Sequence, residues 1–363
     1  VPIVSISKIQ QRYGLNENLP QLSAGEFGWS LDARRLFIGN GPISEGAPVV
    51  GNTEVLTEYS DLLSITDAYQ YRGLAAGYTH QTGVSSASPT TRSLQLKLDD
   101  IASVKDFGAI GDGVTDDTAA INRAFFQLFC RESNEEVRRS LFFPAGVYVV
   151  SDTIKVPTYA KIVGEGKDST IIRGISVTPF VLVELADRLQ QTGPNIGSNG
   201  AGIPEYIEMH GMTWENQTQD DVLLITSTQN SRFSQVNFTG YVIPDSPIPA
   251  LDIPDAGTIA SPTVVRLAST GINKTSALVF EHCDIRNCGI GVAASDEMQN
   301  ILFNSCLFEN LWRGAWIGVD IGAGIGPRGI KFTNSVFSKI YSYGLLVLNV
   351  PSIISAFNCY NDV

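Results

Sequence analysis

From residue 207 to the end, apolar residues recur at fixed offsets in ten-residue segments separated by polar turns. The segments are IEMHGMTWEN (207–216), SRFSQVNFTG (231–240), LVFEHCDIRN (278–287), ILFNSCLFEN (301–310), IKFTNSVFSK (330–339) and ISAFNCYNDV (354–363). Their third positions are Met209, Phe233, Phe280, Phe303, Phe332 and Ala356. Three residues on stand Met212, Val236, Cys283, Cys306, Ser335 and Cys359, and two further on Trp214, Phe238, Ile285, Phe308, Phe337 and Asn361. Third positions are 24, 47, 23, 29 and 24 residues apart. A second apolar run follows each regular segment: VLLIT (222–226), GIGVAA (289–294), GAWIGV (314–319) and GLLVLN (344–349). In the long step it comes late, as TVVRLA (263–268).

A period near 23 residues with two or three short strands per unit predicts a parallel β-helix. Each coil stacks on the last at roughly 4.8 Å, and the fixed apolar positions become inward ladders. A leucine-rich repeat fits badly, since Phe and Ile dominate the period where that repeat needs Leu and Asn. Asn216, Asn287 and Asn310 share the last offset, where an inward Asn satisfies turn backbone groups.

The open end of such a stack exposes apolar interior and unpaired backbone, which must be covered. The stretch TDDTAAINRAFFQLFCRES predicts an amphipathic plug helix with Ile121, Phe125, Leu128 and Phe129 on one stripe. Asp116 or Asp117 is expected to cap it, and both charges suit the positive end of the helix dipole. The acidic loop ahead of it lacks the spacing of a calcium loop after Asp112. GDGVTD lacks the third Gly of a dinucleotide fingerprint, and GEGKDS (164–169) lacks the Ser or Thr of a phosphate loop.

The first 60 residues differ. Phe27, Trp29 and Leu31 alternate, as do Leu36 and Ile38, and each run ends at Gly or Asn, which predicts small β-hairpins. A module of this size buries little core, so association with copies of itself is expected. Residues 73–92 read as a small, polar linker. Leu94, Leu98 and Ile101 then form a short helical stripe that could meet its copies at a neck.

Composition narrows the function. The chain has 363 residues, 43% hydrophobic and 17% charged, with a net charge of −12. An acidic surface repels phosphate backbones, so nucleic acid is not an expected partner. No apolar stretch is long enough to cross a membrane, and the first residues lack a secretory signal. The five cysteines have no metal-ligand spacing and read as free thiols of a protein made in a reducing cytoplasm. No metal or cofactor is expected.

Candidate chemistry lies on outward positions. Glu215, Arg286 and Glu309 share one outward offset, and Arg286 and Glu309 sit one coil apart, as an ion pair would. Asp284 and Glu309 are expected roughly 8 Å apart, inside the window of an inverting carboxylate pair. They are the candidate catalytic residues. Trp312, in the turn, is a candidate stacking surface for a sugar ring; Trp316 could equally face the core. The Pro-rich insertion 240–262 carries Asp245, Asp252 and Asp255, and loops thrown from a scaffold often carry function. Asp252, Asp255, Trp312 and Arg286 are the candidate glycan-binding residues. A second, Gly-rich loop spans 189–204. His210 is expected on an outward position without a chemical role.

VKDFGAIGDGVTDDTAAINRAF (104–125), LFFPAGVYVVSDTIKVP (141–157) and KIVGEGKDSTIIRG (161–174) together resemble the pectate-lyase-like region of bacteriophage tailspikes and tail fibres. LSAGEFGWSLDARRLFIGNG resembles virion-attachment modules of phage receptor-binding proteins. The resemblance implies a mainly β protein with a right-handed, pectate-lyase-like parallel β-helix, trimeric and mounted on a phage tail or baseplate. It implies an attachment module at 1–72, a linker and neck at 73–103, and a β-helix with its plug from 104 to 363. The last segment stops mid-repeat, so the β-helix is expected to continue past Val363. Many relatives degrade bacterial surface polysaccharide, but the N-T-D, G-H-G and R-I-K elements of polygalacturonases are absent. Two functions remain: a tailspike that binds and cleaves surface glycan, and a structural or adhesive fibre without enzymatic activity.

Overall fold

The computed structural model describes residues 11–45, 51–57, 90–130, 139–186, 203–241, 262–270, 273–318, 326–348 and 354–362. The chain divides into two compact units, 1–100 and 101–363. In the first, Gln11–Gly14 runs parallel to Phe27–Ser30, which continues antiparallel through Arg35–Gly39 to Asn52–Val55. The alternation predicted this hairpin. Its Gly28 and Ser30 side is buried, whereas the Phe27 and Trp29 side is only half covered. Leu94–Leu98 forms a short helix capped by Ser93, whose Oγ accepts the Leu96 N–H. Its leucines are exposed: Leu94 by 37%, Leu98 by 55%, with Ile101 exposed by 60%.

Among the described residues, the second unit is one continuous sheet of 20 strands in which the coil-to-coil pairings are parallel. It bends at corners into three faces. The first face runs from Leu141–Phe143 through Lys161–Gly164 and 208–210 to Ile330–Thr333 and Ser355–Phe357. The second runs from Gly146–Val150 through Thr170–Gly174 and 213–216 to 336–338 and Tyr360–Asp362. The third runs from Ile154–Pro157 through Val183–Ala186, Leu223–Thr226 and Thr263–Ala268 to 343–347. This is a parallel β-helix, and the register of its faces matches the repeat alignment. Met209 faces Phe233, then Phe280, Phe303, Phe332 and Ala356. The late run TVVRLA also takes its expected rung, with Val265 between Leu223 and Val292.

Those positions form the core. Phe233, Phe280, Phe303 and Phe332 stack at 4.6, 4.6 and 5.0 Å, and Phe308 stacks on Phe337 at 4.5 Å. One coil has a single layer of such rings and no partner above; stacking supplies it. The corners turn on left-handed residues spaced five apart: Asn230, Gln235; Ala277, His282, Asn287; Asn300, Ser305, Asn310. Asn tolerates that conformation best among residues with a side chain, which explains its recurrence at these offsets. Asn216 is fully buried and donates to the Phe180 and Asp221 carbonyls at 3.0 and 2.9 Å, as an inward turn Asn should. Asn287 and Asn310 instead bond each other, amide to amide, at 2.9 Å.

The plug is a helix over Thr118–Phe125 that widens into a π turn at Phe126–Cys130. Ile121, Phe125 and Phe129 are buried; Leu128 is half-buried against the core. The three aspartates stitch the loop together. Asp117 occupies the cap position but turns back, accepting the Ile110 and Gly111 N–H groups at 2.7 and 3.0 Å. Asp116 accepts the Thr118 N–H at 2.9 Å, and Asp112 accepts those of Val114 and Thr115. Cys283, Cys288 and Cys306 are buried and no cysteine forms a disulfide. No helix among the described residues is long and apolar enough to cross a membrane.

Candidate functional site

Side chains alternate across a strand, so the residues between the core positions of each segment face outward. On the second face this makes two outward columns. One is Thr213, Asn237, Asp284 and Leu307; the other is Arg173, Glu215, Thr239, Arg286, Glu309 and Ser338. At the lower coils Arg173 pairs with Glu215 at 2.9 Å.

Higher up, five charges alternate in a chain. Lys167 Nζ lies 2.6 Å from Asp284 Oδ2, and Arg286 Nη2 lies 3.0 Å from the same oxygen. Arg286 Nε is 3.6 Å from Glu309 Oε2, and Lys339 Nζ is 3.1 Å from Glu309 Oε1. Lys167 arrives from the turn after Lys161–Gly164, a point 117 residues earlier. The turn is pinned by the Thr213 hydroxyl, which donates to the Lys167 carbonyl at 2.5 Å. It also needs Gly164, where a Cβ would stand 2.3 Å from the Gly211 carbonyl oxygen. Asp284 is the most enclosed member, 7% exposed, while the Lys339 side chain is 64% exposed.

Asp284 and Glu309 thus come onto one face, on adjacent coils, with the Arg286 guanidinium between them. The ion pair expected of Arg286 and Glu309 is present, and Arg286 serves Asp284 as well. Lys339 and Lys167 complete the group, and neither was a sequence candidate. Lys339 could have been found, since it stands beside Ser338, the next rung above Glu309. Lys167 had no local signal.

The corner beyond this face holds the aromatics. Trp312 is half-buried beside Asn310. Tyr341, 55% exposed, reaches back one coil so that its hydroxyl donates to Asn310 Oδ1 at 3.2 Å. Trp316 takes neither orientation expected of it in simple form. It is buried, yet it packs with Ile290, Ala293 and Leu346 in a cluster separate from the coil interior. The Arg313 guanidinium carbon covers its ring at 4.3 Å, and its Nε1 has no hydrogen-bond partner among the described residues.

His210 is exposed on the first face, its Nδ1 2.9 Å from the Ser234 hydroxyl. Glu281, two rungs above His210, pairs with Arg232, which holds that carboxyl below its ordinary range. Most of the 240–262 and 189–204 loops, including Asp245, Asp252 and Asp255, lies outside the described residues.

Residues 101–336 match the family model described as rhamnogalacturonase A/epimerase, pectate lyase-like. A pre-neck appendage protein of Bacillus phage B103 is 25% identical over 248 residues, covering 58% of this chain and 26% of that protein. A probable glucan endo-1,3-beta-glucosidase of Arthroderma benhamiae is 37% identical over 101 residues, 26% of this chain and 11% of that protein. The chain spans between 5% and 26% of the length of the curated relatives it matches. Among solved structures, ORF18 of Geobacillus virus E2 superposes with a TM-score of 0.47 at 15% identity, covering 98% of this chain and 72% of that one.

Proposed function

Because the chain belongs to the rhamnogalacturonase A/epimerase, pectate lyase-like family, we propose that it is part of a phage tail fibre or tailspike that engages bacterial surface polysaccharide through the outer second face of its β-helix. The observation that carries this reading is the juxtaposition on one rigid surface of the Asp284–Arg286–Glu309 group and the Trp312 corner. Charged and amide groups there can bond hydroxyls and an aromatic face can take a sugar ring, on strands that hold them in place. The phage context is supported by the likeness to a pre-neck appendage protein and by the sequence of the N-terminal module. Attachment to a tail or baseplate protein falls to residues 1–72 in this reading. Assembly as a trimer falls to the exposed Leu94, Leu98 and Ile101 stripe. Asp252 and Asp255 would add to the glycan surface from the long loop.

Cleavage is the finer part of the proposal, with Asp284 and Glu309 as the acid and base. A purely adhesive fibre is the second reading, favoured by the guanidinium that stands between the two carboxylates. Incubation of the purified protein with envelope polysaccharide from its host, following polymer length, reducing ends and unsaturated uronate absorbance, separates them. Shortening with new reducing ends, lost in Asp284→Asn and Glu309→Gln, supports cleavage by this pair. Unsaturated products would assign a lyase and overturn the paired-carboxylate role. Intact but bound polymer supports adhesion, and absence of binding overturns the polysaccharide reading.

A further inference from the structure

The slot three residues after each core position changes character along the β-helix. It holds Met212 and Val236, then Cys283, Cys306, Ser335 and Cys359. Cys283 and Cys306 stand at matching places on adjacent rungs, since Glu281 faces Asn304 just before them and Asp284 faces Leu307 just after. No other two cysteines among the described residues meet in this way. Cys288 has Leu311 as its rung partner, and Ser335 stands between Cys306 and Cys359.

Both thiols lie inside the stack, 0% and 2% exposed, and they are in contact with each other. Their other bonds are long. Cys283 Sγ is 3.4 Å from the Phe233 carbonyl oxygen and Cys306 Sγ is 3.5 Å from that of Phe280. A thiol is a weak donor, so little holds either sulfur in its present rotamer. Adjacent rungs of a parallel sheet lie about 4.8 Å apart, within the roughly 4.4–6.8 Å that Cα atoms span across a disulfide. The Cβ atoms must approach by up to about 1 Å for the bond to close. Each cysteine stands in the turn between two strands, after Glu281 or Asn304 and before Asp284 or Leu307, where backbone gives more readily than inside a strand.

We propose that Cys283 and Cys306 are a covalent modification site, closed by a peroxide into a disulfide that ties one coil to the next. One thiol loses its proton and attacks a peroxide oxygen. The O–O bond breaks, the departing hydroxide takes up the proton as water, and a sulfenic acid is left. The second thiol attacks that sulfur, the S–S bond forms, the S–O bond breaks and a second water leaves. The two sulfurs give up two electrons and hydrogen peroxide takes them. Made in a reducing cytoplasm, the pair stays as thiols; on a particle released from the cell, as the phage reading has it, the surroundings favour the disulfide. The ring so closed encircles the coil that carries Asp284 and Arg286. The chemistry itself is independent of the polysaccharide reading.

The test uses the full chain, purified with reductant. Cys130 and Cys359 are blocked under native conditions with N-ethylmaleimide, and hydrogen peroxide is then added. Of the three cysteines left, two should no longer react after denaturation, and a non-reducing peptide map should show Cys283 linked to Cys306. Protection of the 278–281 and 301–304 amides should rise at least tenfold, the roughly hundredfold expected for a loop of this length less the strain of closing it. Dithiothreitol should reverse both changes. Cys283→Ser and Cys306→Ser should fold, because Ser335 already fills the same slot one rung up, fully buried and donating to the Thr333 carbonyl at 3.0 Å. Neither variant should gain protection from peroxide. Free thiols or separate sulfinic acids at both positions after peroxide, or a linkage to Cys288 instead, would overturn the proposal. So would a Cys283–Cys306 linkage that leaves protection unmoved.

Discussion

Replacing Phe303 by Ala tests whether the stacked interior is what holds the coils together. The ring is fully buried between Phe280 at 4.6 Å and Phe332 at 5.0 Å, with the edge of Phe308 at 6.0 Å. Truncating a buried Phe to Ala costs about 3–5 kcal/mol, transfer and cavity together. Two stacked neighbours, each contributing about 0.5–1.5 kcal/mol beyond burial, put this site at the upper end. The fixed backbone of the rungs above and below cannot close the hole, because hydrogen bonds set their spacing. A suitable control is Phe357, which is 73% exposed on the outward side of the first face, where Ala should cost under about 0.5 kcal/mol. Guanidinium unfolding followed by circular dichroism gives the two midpoints. Hydrogen exchange then shows where the loss falls, since repeat stability is a sum of local and nearest-neighbour contributions. Protection should drop in 278–281, 301–304 and 330–333 and persist at 141–174. Equal midpoint shifts for Phe303→Ala and Phe357→Ala would refute the stacking account.

Other consequences can be measured directly. At pH 8 a thiol reagent should modify Cys130 and Cys359 quickly and the remaining three only on unfolding. Burial pushes the Cys288 thiol up to about 12, and the Cys283 contact together with burial raises that of Cys306. The Thr115 and Val114 N–H groups hold the Asp112 carboxyl below its ordinary value. A depressed carboxyl stabilises the fold above its unfolded pKa, and that contribution is lost as pH falls through the folded value. The loop amides of 112–118 should therefore lose protection, measured against their intrinsic exchange rates, below about pH 4, and Asp112→Asn should show the lower protection already at pH 7. Gly314→Val should destabilise the third face, because even a Cβ there would stand 2.4 Å from the Gly344 carbonyl and 2.7 Å from the Phe337 ring. A thermal melt unchanged from wild type would contradict that packing.

The coils were legible in the sequence because their cause is periodic. Every rung presents the same inward slots, so Phe280, Phe303 and Phe332 repeat at one offset and a long insertion displaces the pattern without erasing it. The corners were legible in part: Asn at the last offset was visible, but its use was not. Asn216 bonds turn carbonyls inside the stack, while Asn287 and Asn310 bond each other near the surface. One residue type at one offset serves two environments, and only the neighbouring turn decides which.

The outward face follows a different logic. Its register came from the repeat, which put Arg286 beside Glu309 and Asp284 two residues away. Its chemistry did not, because outward positions answer to whatever crosses the rungs. Lys167 reaches Asp284 from a turn several coils below, over a separation no local pattern spans. Its arrival gives the Asp284 end of the group a lysine, as Lys339 does at the Glu309 end. A change at Gly164, far from Asp284 in sequence and with no charge of its own, should therefore act on the face by moving the turn that carries Lys167. Gly164→Ala is expected to shift that turn away from the Gly211 carbonyl and weaken the Lys167–Asp284 contact. Lys167→Ala should reproduce its effect on ligand affinity while leaving the thermal melt nearly unmoved. If Gly164→Ala lowered stability yet left affinity intact, Lys167 would be a structural tie and no part of the recognition face.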